Sequence, residues 1–234
     1  MKPTAVVREH EEAPRDEPRW HATLAVVIGV ILYMQLPPKL TFGPVWVAPL
    51  LIALILIPLS IIAPNRHQET RGQRLASIIL IAILNFFNIV SVVLLVHDLV
   101  IGPIPKHPFN ALDLLRAGAQ IFTTNVLVYA LWYWELDGGG PERRAHALSA
   151  NEFRQADFLF PQMSMDRARI ASAETHWKPF FLDYLYLAFT CALAFSPTDV
   201  MPLSRTAKML MLVESVISFV TIALILARSI NILA

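Results

Sequence analysis

Apolar runs separated by short polar clusters mark six segments along this chain: His21 to Leu36, Pro44 to Ile62, Arg74 to Asp98, Asp113 to Trp134, Pro179 to Phe195 and Arg205 to Ile232. Three stretches, Gly43 to Ala63, Leu75 to Val96 and Ala117 to Trp134, hold no charged side chain at all. Runs of roughly 18 or more such residues are long enough to cross a hydrocarbon core about 30 Å thick as helices. A single crossing segment must satisfy its own backbone groups, so all six segments are predicted to be helical. Pro37 and Pro38 close the first, while Pro49 and Pro58 kink the second. The predicted fold class is all-α: a polytopic transmembrane helical bundle of six membrane segments with both termini in the cytoplasm.

Composition sharpens this picture. Of 234 residues, 56% are hydrophobic and only 16% charged, against about 25% charged in soluble domains. A net charge of +1 gives no bulk basic field, so the partner implied is the lipid bilayer and not nucleic acid. The lone cysteine, Cys191, excludes an internal disulfide and reads as a small core residue.

Four parts follow along the chain. Residues 1–19 form a charged, disordered cytoplasmic tail, and 20–134 a four-helix transmembrane bundle. Residues 135–178 form a cytoplasmic loop, and 179–234 a helical hairpin. With six crossings, lysines and arginines divide fourteen against five in favour of the side holding the tail and the 135–178 loop. The positive-inside rule puts that side in the cytoplasm. Trp20, Trp132, Tyr133, Trp134 and Trp177 fall at predicted span ends, where amphipathic rings prefer the interface. Within the loop, "DGGGP" at 137–141 stops the fourth segment, Ser149 and Glu152 suggest a capping box, and "DFLFPQM" at 157–163 is expected on the membrane surface or a neighbouring subunit.

Polar groups at membrane depth are the candidate site residues. Asn85, Asn88 and Ser91 share a face of the third segment; Gln120, Thr123 and Thr124, with Asn125 beside them, mark the fourth. These faces are expected to hydrogen-bond to each other, or to border a polar pathway. Glu214 is the one acid deep in an apolar segment, with Ser218 and Thr221 on its face. Lys208, Asn88 or Asn125 is its expected partner. Asp183 is expected to serve the start of its helix. There is no P-loop, no CxxC and no zinc-type histidine pair, so neither an enzyme nor a metal or cofactor is expected.

Residues 183–232, "DYLYLAFTCALAFSPTDVMPLSRTAKMLMLVESVISFVTIALILARSINI", resemble the pore module of tetrameric potassium-type channels. Tyr184 to Ala194 would match its pore helix, Thr198 to Pro202 its post-filter turn, and Arg205 onward its inner helix. The filter itself is degenerate: "AFSPT" at 194–198 stands where glycine-permitted stacked carbonyls are needed, and Pro197 cannot take positive φ. The resemblance implies a homo-oligomer, a tetramer by analogy, with inorganic cations as the permeant class. Over its whole length, through "ALWYWELDGGGP", "DFLFPQM" and "AFSPTDVMPLSR", the chain also resembles a family of small bacterial multi-pass membrane proteins with no assigned reaction. That second likeness implies the inner membrane.

Two architectures follow. In one, the fifth segment spans fully, and residues 196–204 form an external turn with Ser204 capping the next helix. In the other, the fifth segment is a re-entrant half-helix. The first is the expectation taken forward, because it preserves the basic-residue bias. The function expected is channel-like, with Thr190, Ser196, Thr198, Asp199, Glu214 and Ser218 as the ion pathway. Asn85, Asn88, Gln120, Thr124 and Asn125 supply helix–helix contacts. A small secondary transporter using the amides of segments three and four, or a non-transporting scaffold docking through the loop, are the alternatives.

Overall fold

A computed structural model describes residues 19–62, 71–101, 111–144, 156–164, 177–195 and 199–233. The described chain is mostly helical: α1 (Trp20–Met34), α2 (Val47–Ile62), α3 (Arg71–Ile101), α4 (Ala111–Leu136), α5 (Phe181–Ala194) and α6 (Arg205–Leu233). Two two-residue strands, β1 (Phe158–Leu159) and β2 (Met201–Pro202), and single helical turns at Pro38–Leu40, Asp137–Gly139 and Pro161–Ser164 complete it. Each apolar segment became one helix, with ends within a few residues of those expected. Three stretches, Arg71–Val100, Leu112–Gly139 and Arg205–Ala227, are long and apolar enough to cross a membrane. The tail 1–18, the capping box at Ser149 and Glu152, and the pathway residues Ser196 and Thr198 lie outside the described residues.

α4 is the central helix, packing on α1, α3, α5 and α6. Its direction against each is set by side-chain pairs. Asn88 of α3 meets Asn125, while the Nε of Arg74 lies 3.8 Å from where a Gly140 Cβ would stand. α3 therefore starts where α4 ends, at the loop end of the bundle. α6 is also antiparallel to α4, with Glu214 against Tyr133, Ser218 against Asn125 and Ile225 against Gly118. The last contact is so close that a Cβ on Gly118 would stand 2.0 Å from Ile225 Cδ1. α1 runs alongside α3, with Gly29 over Leu84 and the Tyr33 ring against Phe87. Its end is turned by residues 35–46, where the Phe42 N–H donates to Tyr33 Oη at 3.3 Å and Leu40 is fully buried.

α5 departs from expectation. It starts at the loop end, where Phe181 packs on Trp134 and Tyr184 Oη donates to Asp137 at 2.6 Å. It then runs beside α6 in the same direction: Cys191 lies 3.3 Å from Ser215 Oγ, and Phe195 meets Phe219 edge-on at 5.4 Å. Phe219 is about 21 Å along α6 from Arg205, so α5 ends midway down the bundle. The reversal is marked by Phe195 itself, which takes the left-handed conformation (φ 55°) with its N–H on Cys191 O at 2.9 Å. That conformation is uncommon outside glycine. The chain then returns to the loop end. There β2 pairs antiparallel with β1, and the Leu203 N–H donates to Asp157 O at 2.8 Å. Nine residues reach up to about 30 Å, ample for that climb. Ser204 caps α6 as expected, accepting from the Ala207 N–H at 3.1 Å.

This overturns the external turn. Residues of the 135–178 loop are hydrogen-bonded to residues that a full crossing by α5 would carry to the opposite end. The described chain accordingly begins at the loop end, with α1, and finishes at the far end, with α6. Six crossings with both termini on one side do not fit that geometry. α5 and α6 share one core with α4. A cysteine placed at Ser215 tests the arrangement. Oxidation should link Ser215→Cys to Cys191 within one chain and remove both thiols from alkylation. In an antiparallel hairpin Cys191 would face residues near 208, roughly 10 Å away, and no link would form.

Candidate functional site

The loop end is held by α4's own terminus. Gly138, Gly139 and Gly140 take successive positive φ values of 57°, 82° and 102°, which glycine adopts without steric cost. This wraps the chain so that Arg144, almost fully buried, donates back to the Trp134 carbonyl at 2.6 Å and the Asp137 carbonyl at 2.9 Å. A cation on the last carbonyls of a helix also suits its dipole. The same guanidinium lies 5.2 Å over the Tyr184 ring. The Asp137 carboxyl, fully buried, accepts from the Asp157 N–H at 2.8 Å, the Phe158 N–H at 3.3 Å and Tyr184 Oη. Asp157 in turn accepts from the Gly138 N–H at 3.0 Å. Phe158 and Phe160 are buried against Tyr133 and Tyr184. "DFLF" is therefore core, not the membrane-surface element its apolar character suggested.

From Asp137 a polar column runs inward on α4. Asn125, Tyr129, Tyr133 and Asp137 are spaced by four, and each is at most 1% exposed. Four residues advance about 6 Å and overshoot a full turn by about 40°. The column therefore winds round the helix and meets α3 at depth and α5 at the loop end. Asn88 Nδ2 donates to Asn125 Oδ1 at 3.1 Å, and Asn125 Nδ2 to Ser218 Oγ at 3.0 Å. Asn85 bonds Tyr129. Tyr133 Oη donates to Glu214 Oε2, and the Cys191 thiol lies against the same carboxyl. Glu214 is fully buried and its Oε1 has no hydrogen-bond partner; Ser91 Oγ and Asn85 Oδ1 are in the same condition. Beyond Asn125 the α4 face turns apolar, with Ile121, Ala117 and the Gly118–Ile225 contact.

The expected residues are therefore scattered. Asn88 and Asn125 meet as anticipated, and Glu214 and Ser218 face α4 from inside one chain. Glu214 bonds Tyr133, not Lys208, which is exposed, nor either amide. Gln120 Nε2 donates to Gln35 Oε1, one residue past the end of α1, at 3.3 Å. Thr124 is buried beside Asn125, whereas Thr123 is exposed. Thr190 donates within its own helix, to the Tyr186 or Leu187 carbonyl at 2.9 and 3.0 Å. Asp199 is exposed at the loop end. Asp183 serves the start of α5, accepting from the Phe180 N–H at 2.7 Å.

Tyr133 and Trp134, expected at the lipid interface, are instead buried. Tyr129, Tyr133, Tyr184, Asp137 and Arg144 are site residues that composition did not suggest. The four-residue spacing from Asn125 to Asp137 was the signal available for three of them. Compared with known proteins, the chain matches no family model, no curated protein and no solved structure.

Proposed function

We propose that this is a channel-like membrane protein that conducts inorganic cations, with the α5–return–α6 unit as its route. The observation that carries the reading is the parallel course of α5 and α6, with the chain at mid-depth at Phe195 and back at the loop end by β2. This is the plan of a pore helix, a climbing segment and an inner helix. In this reading α1 to α4 and α6 cross the membrane, and α5 dips in and comes back. Arg205 and Lys208 then join the loop end and Arg228 leaves it, so the basic residues divide fifteen to four. That is a stronger bias than six crossings allow, and it makes the loop end cytoplasmic in a bacterial inner membrane. The carboxyl end of α5 presents its negative pole at mid-depth, which suits cations. The outer faces of α5 and α6, with Tyr186, Phe189, Met209, Val216 and Phe219 exposed, are apolar surfaces suited to lipid or to further copies, the tetramer being the expected assembly.

Reconstitution into planar bilayers tests this. A cation current is expected, and Asp199→Asn at the mouth should lower it about twofold or more at low salt and little at high salt, as screening requires. Absence of any cation current from folded protein ends the proposal. A carrier is the second reading, favoured by the buried chain Asn88–Asn125–Ser218 beside Glu214. Saturable flux without unitary currents, abolished by Asn125→Leu, would select it.

A further inference from the structure

We propose that Glu214 Oε1 anchors a binding site, inside the single chain, for one monovalent cation: a proton or an alkali metal ion. The site goes beyond the conduction reading and stands whether or not α5 and α6 line a pore. Its basis is an excess of acceptors. Glu214 Oε1, buried where α4, α5 and α6 meet, has no hydrogen-bond partner, and neither does Asn85 Oδ1 of α3, whose side chain bonds Tyr129 one turn along the α4 column. Leaving such groups empty in a dry interior costs free energy that a positive ligand removes.

The titratable groups facing Glu214 are Tyr133 and Tyr129 from α4 and Cys191 from α5. Among the described residues no lysine, arginine or histidine reaches the carboxyl. A carboxyl at this depth is completed by a positive charge, and the fold supplies none. Tyr133 fixes one oxygen, leaving the other buried without a hydrogen-bond partner.

The geometry also assigns a direction of access. The polar column rises from Glu214 through Tyr133 to Asp137 at the loop end, whereas below Asn125 the path is shut by Ile121, Ala117 and the Gly118–Ile225 contact. The column is polar on one side of Glu214 and apolar on the other, so exchange is assigned to the loop end, past the buried Tyr133 and Asp137.

A hydrophobic carbodiimide, which modifies protonated carboxyls within membranes, tests the site on the full chain in vesicles, with the modified residue identified by mass spectrometry. Glu214 is expected to be labelled, and the label lost in Glu214→Gln. A severalfold rise as bulk pH falls, indifferent to sodium or potassium, identifies a proton. Severalfold protection by one of those ions at fixed pH identifies an alkali cation. In either case only a change made on the loop-end side should matter. The infrared carboxyl band assigned by difference against Glu214→Gln gives a second reading, with Tyr133→Phe, expected to shift that band, as the milder variant should the first not fold. A Glu214 whose labelling and carboxyl band respond to neither pH nor alkali salt overturns the proposal and leaves water alone beside the carboxyl.

Discussion

Asp137→Ala should destabilise the protein by roughly 3 to 9 kcal/mol, since three donors, two of them buried and one part-buried, lose their acceptor at about 1 to 3 kcal/mol each. Two of those donors are the backbone N–H groups of Asp157 and Phe158, and the third is Tyr184 Oη. All depend on one carboxyl with no exposed surface. The loss is of the same order as the whole stability of many folded domains, about 5 to 15 kcal/mol. The strand pair and the start of α5 should loosen together, because both are tied to that carboxyl. Thermal unfolding in detergent would show a lower transition, and limited proteolysis would cut within 156–164 well before the parent is attacked. Asp137→Asn keeps one acceptor oxygen but turns an amide donor toward existing donors, so it should fall between the two. A melting temperature unchanged from the parent would show that Asp137 is not the organising group.

Reporters fused to the two ends should give opposite, near all-or-none answers. A fluorescent protein that matures only in the cytoplasm is expected to shine when placed before Trp20 and to stay dark after Ala234. Alkaline phosphatase should do the reverse. The reason is that α1 begins at the loop end and α6 finishes at the far end, with α5 turning back halfway. Single cysteines at Gln162 and Asp199, in a Cys191→Ser background, should be reached by an impermeant thiol reagent from the same side. Both reporters on one side, or the two cysteines labelled from opposite sides, would restore the full crossing by α5.

That crossing is also where reasoning from sequence ran out. Helix limits were legible because charge-free runs and prolines bound them, as Pro37 and Pro38 bound α1. The depth of α5 was not. Seventeen apolar residues look alike whether they leave by the far side or come back, and the sign of the outcome rested on a basic-residue count that assumed the answer. What decides it is non-local: two strands of two residues, forty-odd positions apart, whose pairing no period in the chain announces. Glu214 and Ser218 could be singled out, since an acid in an apolar helix is conspicuous. Their partner could not. Tyr133 sits between two tryptophans, a pattern that points to the interface, and its burial follows from Phe158 covering it. Asp137 was hidden by its neighbours. Beside three glycines it passes for a turn residue, whereas those glycines exist to bring Arg144 and the loop back onto it.

The short ladder between β1 and β2 works as a mechanical tether. A load applied to residues 157–160, by a binding partner or a modification of the segment beside them, is delivered directly to residues 199–204 without bending any helix. Those residues lie between the turn at Phe195 and the first turn of α6. Whatever grips residues 157–160 therefore pulls on residues 199–204 as well.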